Sequence, residues 1–304
     1  AEMGQSTDKA GVAISPKLPP EVGAAFCRRT NHDLHAHSDA QLGEHYEVFG
    51  KRDGRVASPA RLRSGFLALV PPIAKILEIG PAHKPCFTGR NVKYFDVQDS
   101  DGLRNRALTH NENPKGTPAR IDYVSPTGDI AIVRETFDVV FSSHAIENKP
   151  DLVRHLIEVD RLLAPGGAYF AICSDKRYCF DHDILESPIG EVLGAHFAER
   201  KTHRIADSVD AMSMSSHNDP ARHWEKDSPP VGVNVALVKQ ALDQIDKAKD
   251  DHIDCRAWRM TPSSFREILE TLHRLGKSPL RPLRVYDTPR GQNEFFAVLG
   301  RARG

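Results

Sequence analysis

Four continuous apolar runs mark the middle of the chain, at 73–79, 92–97, 137–143 and 168–174. Each is bounded by turn-forming residues and lacks strict alternation, the signature of strands buried on both faces. Between the last two, Leu152, Leu156, Val159 and Leu163 recur at helical spacing. Pro150 and Asp151 suit the start of that helix, and Pro165-Gly166-Gly167 suits its stop. A strand–helix–strand crossover implies parallel pairing. The short run 121–124 is a possible further strand. Near the C-terminus, Thr261-Pro262 opens a helix with Phe265, Ile268, Leu269, Leu272 and Leu275 inward, and Gly276 closes it. Runs 280–287 and 294–299 then form a predicted hairpin through Pro289-Arg290-Gly291. The pattern predicts an α/β fold built on an open, mostly parallel sheet, with ligands at the strand ends.

The same pattern divides the chain. Residues 1–60 read as an N-terminal extension, polar at first, and 61–304 as the main domain, whose core spans about 73–180. Residues 61–69 form a predicted helix stopped at Pro71-Pro72. Residues 181–255 read as a lid insertion, with short helices at 191–197 and 233–245 and a loop over 211–230.

Composition narrows the function classes. Lysine plus arginine and aspartate plus glutamate both total 41 in 304 residues, so the formal charge is zero. A dedicated nucleic-acid binder would carry a basic excess. No apolar run approaches the ~20 residues that span a bilayer. Five scattered cysteines, Cys27, Cys86, Cys173, Cys179 and Cys255, without a CxxC, fit a reduced cytoplasmic setting. His32, His35 and His37 beside Asp33 form only a weak metal signal with no completing ligands, so no metal is expected.

Candidate chemistry gathers at the strand ends. Gly80, in Glu78-Ile79-Gly80-Pro81, permits close backbone approach by a ligand. Asp96 ends the next strand, placed to accept the hydroxyls of a nucleoside. A nicotinamide-dependent oxidoreductase would show GxGxxG after the first strand, whereas here Gly-Pro-Ala-His-Lys-Pro follows. His144 follows the strand ending in Ser142-Ser143, and an ordinary imidazole pKa near 6.5 suits it to accept a proton. Glu147 is a second candidate base, or a carboxylate favoured at a helix start. Asp175, Lys176, Arg177 and Tyr178 follow the next strand on the same edge and are candidates to bind a substrate. Trp258 offers an indole face for stacking, or core packing. His217, His223 and Trp224 are further candidates to line a pocket.

These features resemble the class I S-adenosylmethionine-dependent methyltransferases over about residues 73–180 and the terminal hairpin. The stretches Ser142-Ser143-His144-Ala145-Ile146-Glu147, Pro165-Gly166-Gly167 and 174–181, with 254–258 and 261–265, are similar to a bacterial branch found with polysaccharide-building glycosyltransferases. The resemblance implies a Rossmann-like sheet of seven strands, S-adenosylmethionine as cofactor, and a small-molecule acceptor. It implies that Glu78 accepts a hydrogen bond from the cofactor's ammonium. Gly80, Pro81, Ser142 and Ser143 would line the cofactor, and Asp122 would lie near the adenine, with Asp129 as its competitor. His144 would stand where acceptors approach the sulfonium. The first acceptor expected is a hydroxyl of a sugar or related metabolite, and the second an amine. Asn148 and Arg256 stand where the branch often has histidine, which leaves a non-catalytic cofactor-binding module as the rival from another class.

Overall fold

The computed structural model describes residues 16–227, 229, 232–248 and 255–302. Residues 1–15 of the expected extension and 249–254 of the expected lid lie outside the described residues, as does Asp254 of the family-like stretch. The strands are β1 (Ile76–Ile79), β2 (Val92–Asp96), β3 (Tyr123–Val124), β4 (Phe137–Ser143), β5 (Leu163–Ser174), β6 (Leu280–Tyr286) and β7 (Glu294–Arg301). They form one sheet of order β3-β2-β1-β4-β5-β7-β6. The first five pair in parallel, while β7 runs antiparallel to both β5 and β6. This is the Rossmann-like seven-stranded sheet with an antiparallel C-terminal hairpin. The chain reverses its order of travel between β1 and β4, the switch point where open α/β sheets hold ligands.

Alternation along the strands feeds two cores. Leu77, Ile79 and Val140 pack on one face with Leu156 and Val159. Ile76, Val139, Phe141, Phe170 and Ile172 pack on the other with Phe66, Phe296 and Val298. Phe66 lies with its ring centroid 5.4 Å from that of Phe170 and 5.1 Å from that of Phe296. Each such buried ring contributes about 1.5–3 kcal/mol relative to exposure.

The helices follow in chain order. The N-terminal segment holds α1 (Ala24–Thr30), α2 (Asp39–His45) and α3 (Arg63–Leu67). It is tied to the C-terminal hairpin. Buried Arg61 donates to the carbonyls of Asp287 (2.6 Å) and Thr288 (2.9 Å), and Tyr46 donates to Asp287 at 2.9 Å. Glu21 accepts from the Val285 amide at 2.7 Å. Two helices flank the sheet, α4 (Ser100–Thr109) and α5 (Leu152–Leu162), the latter capped by Asp151, whose side chain accepts from the Arg154 amide. The segment expected to form a lid carries α6 (Ile189–Phe197), α7 (Ile205–Ser213), α8 (Pro220–Trp224) and α9 (Val235–Ala248). The last helix is α10 (Pro262–Arg274), with Phe265, Ile268, Leu269 and Leu272 buried as its spacing predicts, whereas Leu275, also expected inward, caps the helix and is 56% exposed.

Three local expectations are corrected. The first strand begins at Ile76, because Ile73 sits in the turn after Pro71-Pro72 with 77% of its surface exposed. Pro165-Gly166-Gly167 lies inside β5, where a register shift opposite Phe137–Val139 and a φ of 77° at Gly166 mark a bulge. A Cβ at Gly167 would come within 2.9 Å of the Asp138 carbonyl, so the neighbouring strand requires glycine there. The expected loop over 211–230 contains the end of α7 and all of α8. Asp219 caps α8 and Pro220 starts it, a helix-start pair visible in the sequence.

The close packing of α3 gives a first test. A Cβ at Gly65 would meet the Pro59 carbonyl oxygen at 2.0 Å. Gly65→Ala is expected to destabilise the protein by about 1–3 kcal/mol, read as a lower urea midpoint. An unchanged midpoint would show that this turn yields freely.

Candidate active site

The ends of β1, β2 and β4 converge because their registers are level. Ile79 pairs with Phe95 on one side and with Ser142 on the other, so Gly80 stands between Asp96 and Ser143. Gly80 has φ 71°, and a Cβ there would touch only that of Ala145, at 3.6 Å. The next turn places Ala82 at φ 49°. Asp96 is buried, and burial raises its pKa. Its Oδ1 accepts from the Val97 amide at 2.7 Å, and the Gln98 and Ala82 amides also bond the carboxylate.

Other expected cofactor residues are placed differently. Glu78 uses both oxygens on loop amides, Cys86 at 2.7 Å and Phe87 at 3.0 Å, and burial pushes its pKa up to about 7. It closes the loop after β1. Pro81 is buried in the turn that follows Gly80. Asp122 accepts from the Tyr94 amide at 3.0 Å, bracing β2 at a point one residue before β3 begins. Asp129 instead lines a cavity of about 580 Å³ beyond β3. Ser142 is fully buried against the Tyr169 hydroxyl at 2.7 Å. Ser143 receives a hydrogen bond from Arg63 at 3.1 Å.

His144 and Glu147 do come together. His144 leaves β4 in the left-handed region, φ 53°, an uncommon conformation for a residue with a side chain. Its Nδ1 is hydrogen-bonded to the Ser174 hydroxyl at 2.9 Å, and its Nε2 to Glu294 at 2.7 Å. Glu147 lies 3.5 Å from Nδ1 and accepts from the Ser174 amide at 2.8 Å. The other oxygen of Glu147 is buried with no hydrogen-bond partner. Burial of the ring alone would lower the His144 pKa, but Glu147 and Glu294 outweigh it and raise it to about 9. Burial likewise opposes the charge on Glu147, yet His144 and Arg256 hold its pKa below the ordinary value. At neutral pH the site is therefore an imidazolium between two carboxylates.

A second cavity, of about 490 Å³, opens beside His144. The lid helices α7 and α9 face it through Ser208, Met212 and Gln244, and Arg256 forms another wall. Arg256 donates to Asp181 and to the Ser174 hydroxyl, both at 2.6 Å, and lies 4.2 Å over the Phe180 ring. The expected substrate-binding residues are mostly spent on one another. Asp175 is fully buried, accepting from Arg177 and from the Thr288 hydroxyl at 2.7 Å. Lys176 donates to the His182 carbonyl, and Tyr178 stacks on Trp224 at 4.0 Å. Trp258 is fully buried and donates to the Lys149 carbonyl, so it serves packing. His217 and His223 stack on each other at 4.0 Å outside this cavity's lining. His32 and His35 are exposed.

Sequence reasoning passed over Glu294, Arg63 and Ser174. Arg63 donates to Glu294 at 2.6 Å and so extends the His144 network to α3. Residues 85–171 match the family model described as a methyltransferase domain. That match supports a methyltransferase, and S-adenosylmethionine as the cofactor expected for it. No curated protein matches the chain. Among solved structures, the CcbJ methyltransferase from Streptomyces caelestis is similar at 13% identity and TM-score 0.38, covering 81% of this chain and 91% of that one. A putative zinc-dependent alcohol dehydrogenase from Rhodobacter sphaeroides is similar at 15% identity and TM-score 0.43, covering 86% and 97%. An S-adenosylmethionine-dependent methyltransferase from Clostridium acetobutylicum is similar at 8% identity and TM-score 0.35, covering 75% and 84%. Among the described residues, no helix is long and apolar enough to cross a membrane.

The residues present fit S-adenosylmethionine. Gly80 leaves room for a ligand at the strand end, and Asp96 offers a carboxylate in the adjacent register position.

The His144 charge is open to measurement. Its folded pKa of about 9 lies above the unfolded value near 6.5. The stability it contributes is therefore full below about pH 6.5 and lost as pH rises through about 9. Proton NMR of the His144 ring is expected to show a midpoint near 9, and Glu147→Gln to move it down toward 6.5. A wild-type midpoint at or below 6.5 would contradict the paired geometry.

Proposed function

We propose that the enzyme transfers a methyl group to a hydroxyl of a small polar metabolite, of the sugar class, bound in the cavity beside His144. The observation that carries this reading is the imidazole at the wall of that cavity, held by two carboxylates. The cofactor supplies an electrophilic methyl carbon and a neutral thioether leaving group. Asp96 and Gly80 hold its nucleoside end and backbone-facing side, which fixes where an acceptor must stand. Such positioning is worth roughly 7–11 kcal/mol of a barrier. An alcohol keeps its proton at neutral pH, so its oxygen needs a base as it attacks. The neutral form of His144 serves as that base: Nε2 keeps its proton toward Glu294, Nδ1 exchanges its bond to the Ser174 hydroxyl for the acceptor's proton, and Glu147 and Glu294 stabilise the charged ring. General-base action of this kind contributes about 10²–10⁴-fold.

The cavity walls support a hydroxylated acceptor. Ser208, Ser215, Gln244 and Asn148 offer neutral hydrogen-bonding groups, beside apolar surface from Phe180 and Met212. Arg256 is satisfied by Asp181 and Ser174, so the wall carries little unbalanced charge. The similarity of 174–181 to the polysaccharide-associated branch adds support for a sugar. The self-bonded Asp175-Lys176-Arg177 turn then shapes the wall instead of gripping the acceptor. An amine acceptor is the second reading.

The pH profile separates the two. A pKa near 9 leaves only about one ring in a hundred neutral at pH 7. With a hydroxyl acceptor, kcat should climb about tenfold per pH unit between 7 and 9 and then level. His144→Ala should lower kcat at least ~tenfold and leave S-adenosylhomocysteine affinity nearly unchanged. Mass spectrometry of metabolite extracts incubated with methyl-labelled cofactor identifies the product. A methyl on nitrogen, with a profile flat above the amine's own pKa, would replace the hydroxyl reading. Asp96→Ala should weaken S-adenosylhomocysteine binding at least ~tenfold by calorimetry, and unchanged binding would remove Asp96 from the cofactor site.

A further inference from the structure

The larger cavity, about 580 Å³ beyond the end of β3, has an unusual charge balance. Lys149 lines it from the turn after β4. The lysine backbone is fixed at both ends, its amide donating to Ile146 and its carbonyl accepting from Trp258 Nε1 at 2.6 Å. Its ammonium points toward Gly128, where an added Cβ would lie 4.0 Å from Nζ. Among the described residues the ammonium has no hydrogen bond and no ion pair, and only Asp96 acts on it as a more distant carboxylate. Burial lowers its pKa. A desolvated ammonium without a partner is costly and calls for a counter-charge.

The carboxylates of the cavity do not answer that need. Asp129 is paired with Arg154, Asp151 with His196, and Glu158 with Arg161. Arg200, on the lid side of the cavity, adds positive charge. It donates through Nε to the Pro150 carbonyl at 2.7 Å and reaches Asp207 only at 3.8 Å, while its Nη2 is buried without a partner. Burial lowers the Arg200 pKa too, so neither cation is fully compensated.

We propose that this cavity binds an oxyanion of the phosphate class, with Lys149 as its direct ligand and Arg200 as the supporting charge. The anion supplies the missing counter-charge and joins the turn after β4 to the start of the lid. The inference is independent of the acceptor assignment, because the cavity lining includes none of the walls beside His144.

The test uses the full chain, with inorganic pyrophosphate as the probe. Calorimetry and thermal unfolding are run on the wild type, Lys149→Met and Lys149→Arg, with S-adenosylhomocysteine binding measured on the same samples. Pyrophosphate should bind the wild type and raise its melting point. Lys149→Met should weaken that binding at least ~tenfold while holding S-adenosylhomocysteine affinity within about threefold. Its own melting point without ligand should rise, because an uncompensated, partly buried charge is gone. Lys149→Arg should retain the anion. No pyrophosphate binding to the wild type, or binding unchanged in Lys149→Met, would overturn the site. Loss of S-adenosylhomocysteine binding together with pyrophosphate would also overturn it and make Lys149 a cofactor ligand. A wild type that binds pyrophosphate but no S-adenosylhomocysteine would leave the site standing and sink the cofactor assignment instead.

Discussion

One half-buried imidazole fastens three strands of the sheet. His144 follows β4, Ser174 ends β5 and Glu294 opens β7, and the ring bonds both partners. Glu147 closes the same corner, since its carboxylate takes the Ser174 amide and its carbonyl takes the amides of Ala257 and Trp258. Glu147 is buried, so removing its partners leaves its carboxylate uncompensated. The corner therefore fixes the position of the antiparallel hairpin against the parallel strands. It also fixes the wall of the cavity beside which we propose that methyl transfer occurs. The left-handed backbone of His144 is the local strain that this arrangement holds in place.

The surrounding loop is organised to support that ring. Arg256 bonds Ser174, which bonds His144, and it is itself anchored by Asp181. From the opposite side Arg63 holds Glu294. Asp175, Arg177 and Thr288 bond one another, which ties the turn after β5 to the hairpin. This explains how a chain with arginine at position 256 keeps an ordered site. The guanidinium donates in two directions at once, joining the lid's approach at Asp181 to the strand end at Ser174.

The sheet was legible in the sequence because burial on both faces writes itself locally, as apolar runs closed by Gly80, Asp96 and Ser143. The hairpin and α10 were legible for the same reason, with turn and cap residues at their ends. Side-chain partners were less so. Nothing near His144 announces Glu294, which lies 150 positions away and meets it only once β7 slots beside β5. Glu78 and Asp122 occupy places a ligand-binding acid would take, but their carboxylates turn to backbone amides that local loops bring to them. Trp258 offers an indole face for stacking, with core packing the default, and its full burial and bond to the Lys149 carbonyl decide for packing. The bulge at Gly166 was hidden because Pro-Gly-Gly marks a turn as readily as an irregular strand.

The central claim is that the ends of β1, β2 and β4 hold the cofactor so that its sulfur faces the cavity beside His144. The crystal structure of the protein with S-adenosylhomocysteine tests it most directly. The account predicts ribose hydroxyls on Asp96, backbone contact at Gly80, and the sulfur directed toward the cavity bounded by His144, Phe180 and Arg256. A ligand bound away from Asp96 and Gly80, or one whose sulfur is walled off from that cavity, would contradict it.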